Sequence, residues 1–226
     1  MTSIAIDGPS GAGKSTLSST LAEDLGFLYV DTGALYRTIG LAALRAGVPT
    51  KDEAALAALL PAIDLQLRHV DGRQRVLLGG QDVSEDIRTE AVGMAASDVS
   101  AHPPVRAFLL ETQRRLAREH DVIMDGRDIG TVVLPDATLK IFLTATAEDR
   151  AERRTQQLHE SGQAADYETV LADVRQRDYN DSHRAAAPLK QADDAVLLDT
   201  TGNSFEESHA ALLALIREKL GGQIGE

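Results

Sequence analysis

The sequence contains no cysteine, which excludes a disulfide framework and any thiolate metal site. It has no apolar run approaching the roughly 18 residues that a membrane-crossing helix needs, so no span is expected. The start, Met1-Thr-Ser-Ile-Ala-Ile-Asp7, has no basic residue and meets an acid after three apolar positions, so no secretory signal is expected either. Low-complexity tracts and self-similar periods are missing while 43% of residues are hydrophobic, which argues against repeats, fibres and long disorder. Positive charge is also scarce. Lys and Arg number 23 against 35 Asp and Glu, a formal charge of -12, and a basic surface for nucleic acid or an anionic membrane is therefore not expected. A soluble intracellular protein is the expectation.

What is present is enough for one α/β domain with an insertion: 226 residues, ample for a real core. The cations are lopsided, 18 Arg to 5 Lys, and Arg is the side chain whose planar fork matches phosphate. The acidic excess gathers in residues 1–100, with 8 basic and 13 acidic groups, and in 189–226, with 3 and 7, leaving the middle of the chain nearly balanced.

Apolar runs at Ser3–Asp7, Phe27–Val30, Val122–Met124, Leu139–Leu143 and Ala195–Leu198 alternate with helical patterns. Such near-continuous apolar strands between helices predict a parallel sheet covered on both faces. Helices are predicted at Lys14–Leu25, Gly33–Ala46, Asp52–Leu60, Glu90–Ala101, Pro104–Arg118, Ala147–Ser161, Tyr167–Arg184 and Phe205–Leu220, with Gly26, Gly47, Gly162 and Gly221 at their C-caps. One stretch breaks this rhythm. Ile63–Val70 alternates, Asp71-Gly72 is a hairpin turn signal, and Gln74–Gly79 returns, so an antiparallel insert is expected at about residues 62–88.

Gly8-Pro9-Ser10-Gly11-Ala12-Gly13-Lys14-Ser15 fits GxxxxGK[ST] in full and stands between a predicted strand and a predicted helix, the context the motif needs. Its glycines allow successive N–H groups to curl around phosphate oxygens, and the helix that follows adds its positive end. Lys14 suits the transferred phosphoryl group, and the hydroxyl of Ser15, or alternatively Thr16, suits the Mg²⁺ that accompanies ATP. The strand-end acid such a fold expects on the metal, through water, is Asp125.

A regulatory GTPase would need [NT]KxD, and no Lys is followed two residues later by Asp. A small-acceptor kinase or a nucleotide sensor without transfer remains. Phosphoryl transfer is mostly positioning and charge neutralisation, so a kinase predicts arginines converging from several segments. Arg37 and Arg127 follow strand ends, where open α/β sheets bind ligands. Arg150, Arg153 and Arg154 lie within about one helical turn, and Arg177, Asp181 and Arg184 share a helix face at i, i+4, i+7. Each set also suits a solvated charged face. The six histidines show no metal-ligand spacing and are expected at the surface.

The order and spacing of IDGPSGAGKST (Ile6–Thr16), DTGALYR (Asp31–Arg37), the hairpin, AASDVSAHPPVR (Ala95–Arg106), MDGRDIGTVVLPDA (Met124–Ala137), AEDRAERR (Ala147–Arg154) and RQRDYNDSHRAAAPL (Arg175–Leu189) resemble the bacterial cytidylate kinases over nearly the whole chain. The resemblance implies an α/β P-loop kinase fold, with a five-stranded parallel sheet flanked by helices. It also implies that the 62–88 insert is the nucleoside-monophosphate-binding subdomain and that residues 148–163 form a short helical lid. The implied reaction is ATP + CMP to ADP + CDP, with dCMP also accepted, by a cytoplasmic monomer of pyrimidine nucleotide metabolism. UMP, AMP, dTMP or a shikimate-like acceptor is the alternative.

In the family pattern Thr32, Tyr36 and Arg37 lie against the acceptor, with Arg37 on its phosphate. Ser97, Arg106 and Asp128 match positions reading cytosine, Arg127 and Arg184 match phosphate ligands, and Arg177 and Asp181 match positions on the sugar hydroxyls. Cytosine carries an amino donor where uracil has a carbonyl, so a carboxylate such as Asp128 accepts from the first and repels the second. Catalysis falls to Lys14, Arg127 and the lid arginines Arg150, Arg153 and Arg154 as charge stabilisation, with no general base required.

Overall fold

Strand β1 (Ser3–Asp7) turns Ile4 and Ile6 to one side of the sheet and Ala5 to the other, and all three are fully buried. That two-sided burial is what a covered parallel sheet requires of its central strand. In the computed structural model, which describes residues 1–70 and 73–221, β1 pairs in parallel with β6 (Val122–Gly126) and with β7 (Leu139–Thr144). Strand β2 (Leu28–Asp31) extends the sheet beyond β6, and β8 (Val196–Asp199) extends it beyond β7, giving the order β2-β6-β1-β7-β8. The order reverses at β1, so the loop after β1 opens into a crevice between the ends of its two neighbours.

Helices α1 (Lys14–Leu25) and α8 (Phe205–Leu220) cover one face, packing Leu17, Leu21, Leu212 and Ile216 on Ile4, Ile6, Ile123, Ile141 and Leu143. The other face carries α2 (Thr32–Ala46), α3 (Glu53–Leu59), α4 (Glu90–Val99) and α5 (Pro103–Glu119). Leu35 and Ile39 of α2 meet Leu56, Val99, Val105 and Leu109 there. Helix starts follow their caps. The Asp31 carboxylate accepts the Ala34 N–H at 2.9 Å, so α2 begins at Thr32, and Asp52 accepts from Ala55 at 3.0 Å, standing outside the helix it was expected to open.

The insert is a three-stranded antiparallel sheet, β3 (Leu65–Val70), β4 (Arg73–Leu78) and β5 (Gln81–Asp82), closed by a single turn of helix at Asp86–Arg88. The Asp71-Gly72 turn lies outside the described residues. Strand β5 was not anticipated, because two exposed polar residues carry no periodicity. The insert docks on edge strand β2: the Gln74 amide accepts the Asp31 N–H at 3.0 Å and donates to the Asp31 carbonyl at 3.3 Å. Helices α6 (Ala147–Glu160) and α7 (Tyr167–His183) pack on each other through a core of only three buried apolar residues, Ala151, Val170 and Leu171.

Gly221 takes a right-handed conformation rather than the left-handed cap expected of it. His102 is the clearest histidine removed from the surface: its ring bonds the Thr50 carbonyl at 3.0 Å and lies beside Glu53. Among the described residues no helix is long and apolar enough to cross a membrane, and no cluster of His, Cys, Asp and Glu has the makings of a metal site by itself.

Candidate active site

The loop after β1 owes its shape to Gly8, Gly11 and Gly13, whose φ angles are 153°, 80° and 83°. Gly8 is also fixed by crowding, since a Cβ there would stand 1.9 Å from the Leu143 carbonyl oxygen. The curl buries Lys14 at the head of α1 and lays its ammonium on the Pro9 carbonyl at 2.7 Å. Burial and the neighbouring Arg127 guanidinium pull the Lys14 pKa well below the usual lysine value, against the opposite pull of Asp125, Asp181 and Asp7. A cation held that way gains from any anion placed beside it.

Beside the lysine, β6 delivers Asp125. One carboxylate oxygen accepts the Ser15 hydroxyl at 2.8 Å and the other accepts the Tyr29 hydroxyl at 3.0 Å. Burial first, and then nearby Asp31, raise this carboxyl to about 6, with Lys14 opposing. Ser15, not Thr16, is thus the hydroxyl brought to the acid. The Thr16 carbonyl instead accepts the Thr20 hydroxyl one turn on. Thr32 donates its hydroxyl to the Asp125 carbonyl at 2.7 Å and so ties α2 to the same strand end.

Two further constellations surround the crevice. In the first, Asp128 stands between two arginines: Arg106 from α5 on one oxygen and Arg184, just past α7, on the other at 3.2 Å. All three side chains are largely buried, with exposures of 11%, 6% and 9% for Arg106, Asp128 and Arg184. Arg106 also lies over the Tyr36 ring, 5.7 Å from its centroid, and donates to the Ser100 carbonyl at 3.3 Å. Arg184 donates to the Ser100 hydroxyl at 3.3 Å and to the Ala187 carbonyl at 2.7 Å.

The second constellation is mostly positive. Arg127 donates to Asp181 at 2.8 Å. Burial pushes the Asp181 carboxyl up, but Arg127, Arg177 and Arg184 together reverse this and leave it below its ordinary value. Burial lowers Arg177 to about 10, and Arg127, Arg37 and Arg154 push in the same direction while Asp181 resists. Burial lowers Arg37 too, helped by Arg88 and Arg127 and opposed by Asp31. Four arginines from four segments therefore share one field with too few carboxylates among them.

The three arginines of α6 expected in a lid do not share a destination. Arg150 is buried, with Nε on the Ala145 carbonyl at 2.9 Å, Nη1 on the Ser10 carbonyl at 2.8 Å, and both Nη atoms on Asp178 at 2.9 and 2.5 Å. Arg153 turns to the Thr200 carbonyl and Asp149, each at 2.7 Å. Of the three, Arg154 is the exposed one, and its charge reaches Arg177. Arg150 and Arg153, both expected over the transferring phosphate, here rest on carbonyl acceptors at Ala145, Ser10 and Thr200.

Ser97 is half-buried, and its carbonyl accepts the Ser100 hydroxyl at 2.9 Å. The hydroxyl that touches the Asp128 cluster is that of Ser100, which sequence reading passed over. It also passed over Asp7, Tyr29, Arg88 and Asp178. Asp7 alone carried a signal, as an acid at a strand end directly before the glycine loop.

A sequence model of the cytidylate kinase family matches residues 4–218. The cytidylate kinase of Caldicellulosiruptor saccharolyticus is 49% identical over 221 residues, 98% of each chain. That of Aeromonas salmonicida is 50% identical over 217 residues, 96% of this chain and 94% of its own. Among solved structures, an uncharacterised protein from Eubacterium ventriosum matches with a TM-score of 0.52 over 96% of this chain and 98% of its own, at 11% identity, a likeness of fold alone. With half of its residues shared across almost its full length, the chain belongs to the cytidylate kinase family.

Proposed function

We infer that this chain transfers the γ-phosphoryl group of ATP to CMP, giving ADP and CDP, and that dCMP is a second acceptor. The observation that carries the reading is the adjacency of the two constellations. A carboxylate clamped between arginines suits the edge of a base, and a field of under-neutralised arginines beside the glycine loop suits phosphates. Residues Gly8–Thr16 would receive the ATP phosphates, with the Lys14 ammonium leaving the Pro9 carbonyl for their oxygens. Arg37, Arg127 and Arg177 would hold the acceptor phosphate in line with the donor, and Arg154 would close over the group in flight.

Because the acceptor already is a phosphate anion, positioning and charge neutralisation suffice and no side chain is asked to remove a proton. Asp128 and Arg106 would read the cytosine amino and ring acceptors, Tyr36 would pack beside the base, and Ser97, Thr32 and Arg184 would complete the wall. Asp181 would face the sugar, and Arg177, which the family pattern sets beside it there, would reach from the sugar to the acceptor phosphate. A carboxylate held by Arg127 can serve ribose and deoxyribose alike if it meets the 3′ hydroxyl. We place the acceptor-binding subdomain at residues 62–88 and the lid at 148–163, with Arg150 fastening the lid to the Ser10 carbonyl of the glycine loop.

The residues present fit Mg²⁺ bound with ATP. Ser15 and Asp125 are already joined by a hydrogen bond, and a carboxyl raised to about 6 by burial is one that a dication would return to its charged form. One hydroxyl and one carboxylate, with the rest left to phosphates and water, is the way Mg²⁺ is ordinarily held. When bound it supplies neutralisation of charge between the β- and γ-phosphates. The formal charge of -12 supports free nucleotides over nucleic acid as ligands, and family membership supports a cytoplasmic monomer.

A coupled ADP-release assay across CMP, dCMP, UMP, AMP, dTMP and shikimate tests the reading, with CMP and dCMP expected as the preferred acceptors. Equal turnover of UMP and CMP would sink the account of base reading.

A further inference from the structure

The acid assigned to the base stands at the start of a short helical turn. Asp128 is the N-cap of Ile129–Val133, with φ -146° and ψ 27°, yet its side chain makes no capping hydrogen bond. An Asp in that position ordinarily folds its carboxylate back onto the first N–H groups of the turn, which have no acceptor within the helix. Here another residue takes the first two of them. Asp7, the last residue of β1, accepts the Ile129 N–H on one carboxylate oxygen and the Gly130 N–H on the other, both at 2.7 Å. Asp128 is left to turn its oxygens to Arg106 and Arg184.

Asp7 is well placed to be an anchor. It pairs with Gly126 on one side and Phe142 on the other in the central strand, is 4% exposed, and precedes the glycine wedged against Leu143. The turn it holds is closely fitted, since a Cβ on Gly130 would lie 3.1 Å from the Lys140 side chain and 3.4 Å from the Asp7 carboxylate.

We propose that Asp7 is a positioning residue for acceptor specificity: by capping the Ile129–Val133 turn from β1, it keeps the Asp128 carboxylate off its own helix end and available to the base. The carboxylate that performs this sits one residue before the loop assigned to ATP, so the donor and acceptor halves share one fixed point. The proposal rests on Asp128 reading cytosine.

Asp7→Asn keeps the shape but offers one acceptor oxygen and points an NH₂ at an N–H. One donor of the turn is then unpartnered, and Asp128 becomes the better cap. The expected result is a fall of about tenfold in kcat/KM for CMP relative to UMP, with the KM for MgATP little changed. In an Asp128→Asn background the same substitution is expected to add no further loss of selectivity, because residues acting through one another are not additive.

A purely structural Asp7 would instead lower the melting temperature and the active fraction, leave the CMP:UMP ratio alone and add to Asp128→Asn, which would overturn the proposal. Selectivity lost in Asp128→Asn but kept in Asp7→Asn overturns the proposal alone, and selectivity kept in both overturns the base reading with it. Amide exchange on the unsubstituted full-length protein gives a check that needs no variant. The Ile129 and Gly130 amides are expected to be as protected as the β1 amides, and rapid exchange at both would overturn the capping.

Discussion

The Asp128 cluster and the arginine cluster around Arg177 differ in how their charges are balanced. Asp128 has an arginine on each oxygen before any ligand arrives, and the three side chains are out of water together. Arg177 lies in the field of Arg127, Arg37 and Arg154, which together with burial draws it down to about 10. The first group is satisfied and waits to exchange a partner. The second is under-neutralised and waits to gain one. Specificity in such a site comes from a pre-formed pair that a wrong base cannot replace, while affinity for phosphate comes from relief of repulsion.

The largest effect that would break this contrast concerns Lys14, the loop cation in the field of Arg127 and Asp181. Lys14→Ala is expected to lower kcat by about a thousandfold in the coupled ADP-release assay, the cost of losing one donor aimed at transition-state charge. A loss below tenfold would mean that the ammonium stays on the Pro9 carbonyl throughout. Next comes Asp128→Asn, which leaves two buried guanidiniums without their anion. It is expected to cost about 3 kcal/mol of stability, read as a drop in urea midpoint, and to erase most of the preference for CMP over UMP. Loss of MgATP binding with unchanged CMP use would place Asp128 in the wrong half of the crevice.

The sheet was legible because its strands are apolar on both faces and its helices carry glycine stops, so five strands and eight helices follow from periodicity. The short turn at Ile129–Val133 was not, because its β-branched residues carry no helical signal and its cap comes from Asp7, more than a hundred positions away in sequence. The site shows the same division. Lys14, Ser15, Arg37, Arg127 and Asp128 stand within motifs tied to strand ends, and strand ends face the crevice. Arg150, Arg153 and Arg154 stand on a helix whose rotation no local pattern fixes, and where Arg150 and Arg153 turn depends on carbonyls at Ser10, Ala145 and Thr200. Ser100 entered the base cluster by its place at the end of α4, where nothing in its spacing sets it apart from Ser97.

Acidity offers a finer probe of the shared anchor. Burial, resisted by two backbone N–H groups, raises the Asp7 carboxyl from 3.8 to about 6. A folded-state pKa above the unfolded one means that the folded protein holds this proton more tightly, so the associated stability is present below pH 4 and lost as pH rises through 6. A shift of about two units corresponds to about 3 kcal/mol at most. The stability of Asp7→Asn relative to the unsubstituted protein is therefore expected to improve between pH 4 and pH 7, measured as the difference in urea midpoint. A constant difference over that range would show the carboxylate to be fully charged throughout.

The smallest expected effect separates the two constellations most cleanly. Arg177→Met keeps the aliphatic stem that packs in the crevice and removes one of the mutually repelling charges. A guanidinium whose pKa is lowered to about 10 is a group whose charged form is less welcome in the folded protein than in the unfolded one at every lower pH. Partial exposure and salt reduce that cost, so the unliganded variant is expected to be more stable by up to about 1 kcal/mol, fading as ionic strength rises. The same substitution is expected to raise the KM for CMP and lower kcat, because the repulsion it removes is what the acceptor phosphate would have relieved. A stabilised variant with impaired turnover fits a cluster held under strain for its ligand. A destabilised one would show that Asp181 already neutralises Arg177, and that the two constellations are balanced alike.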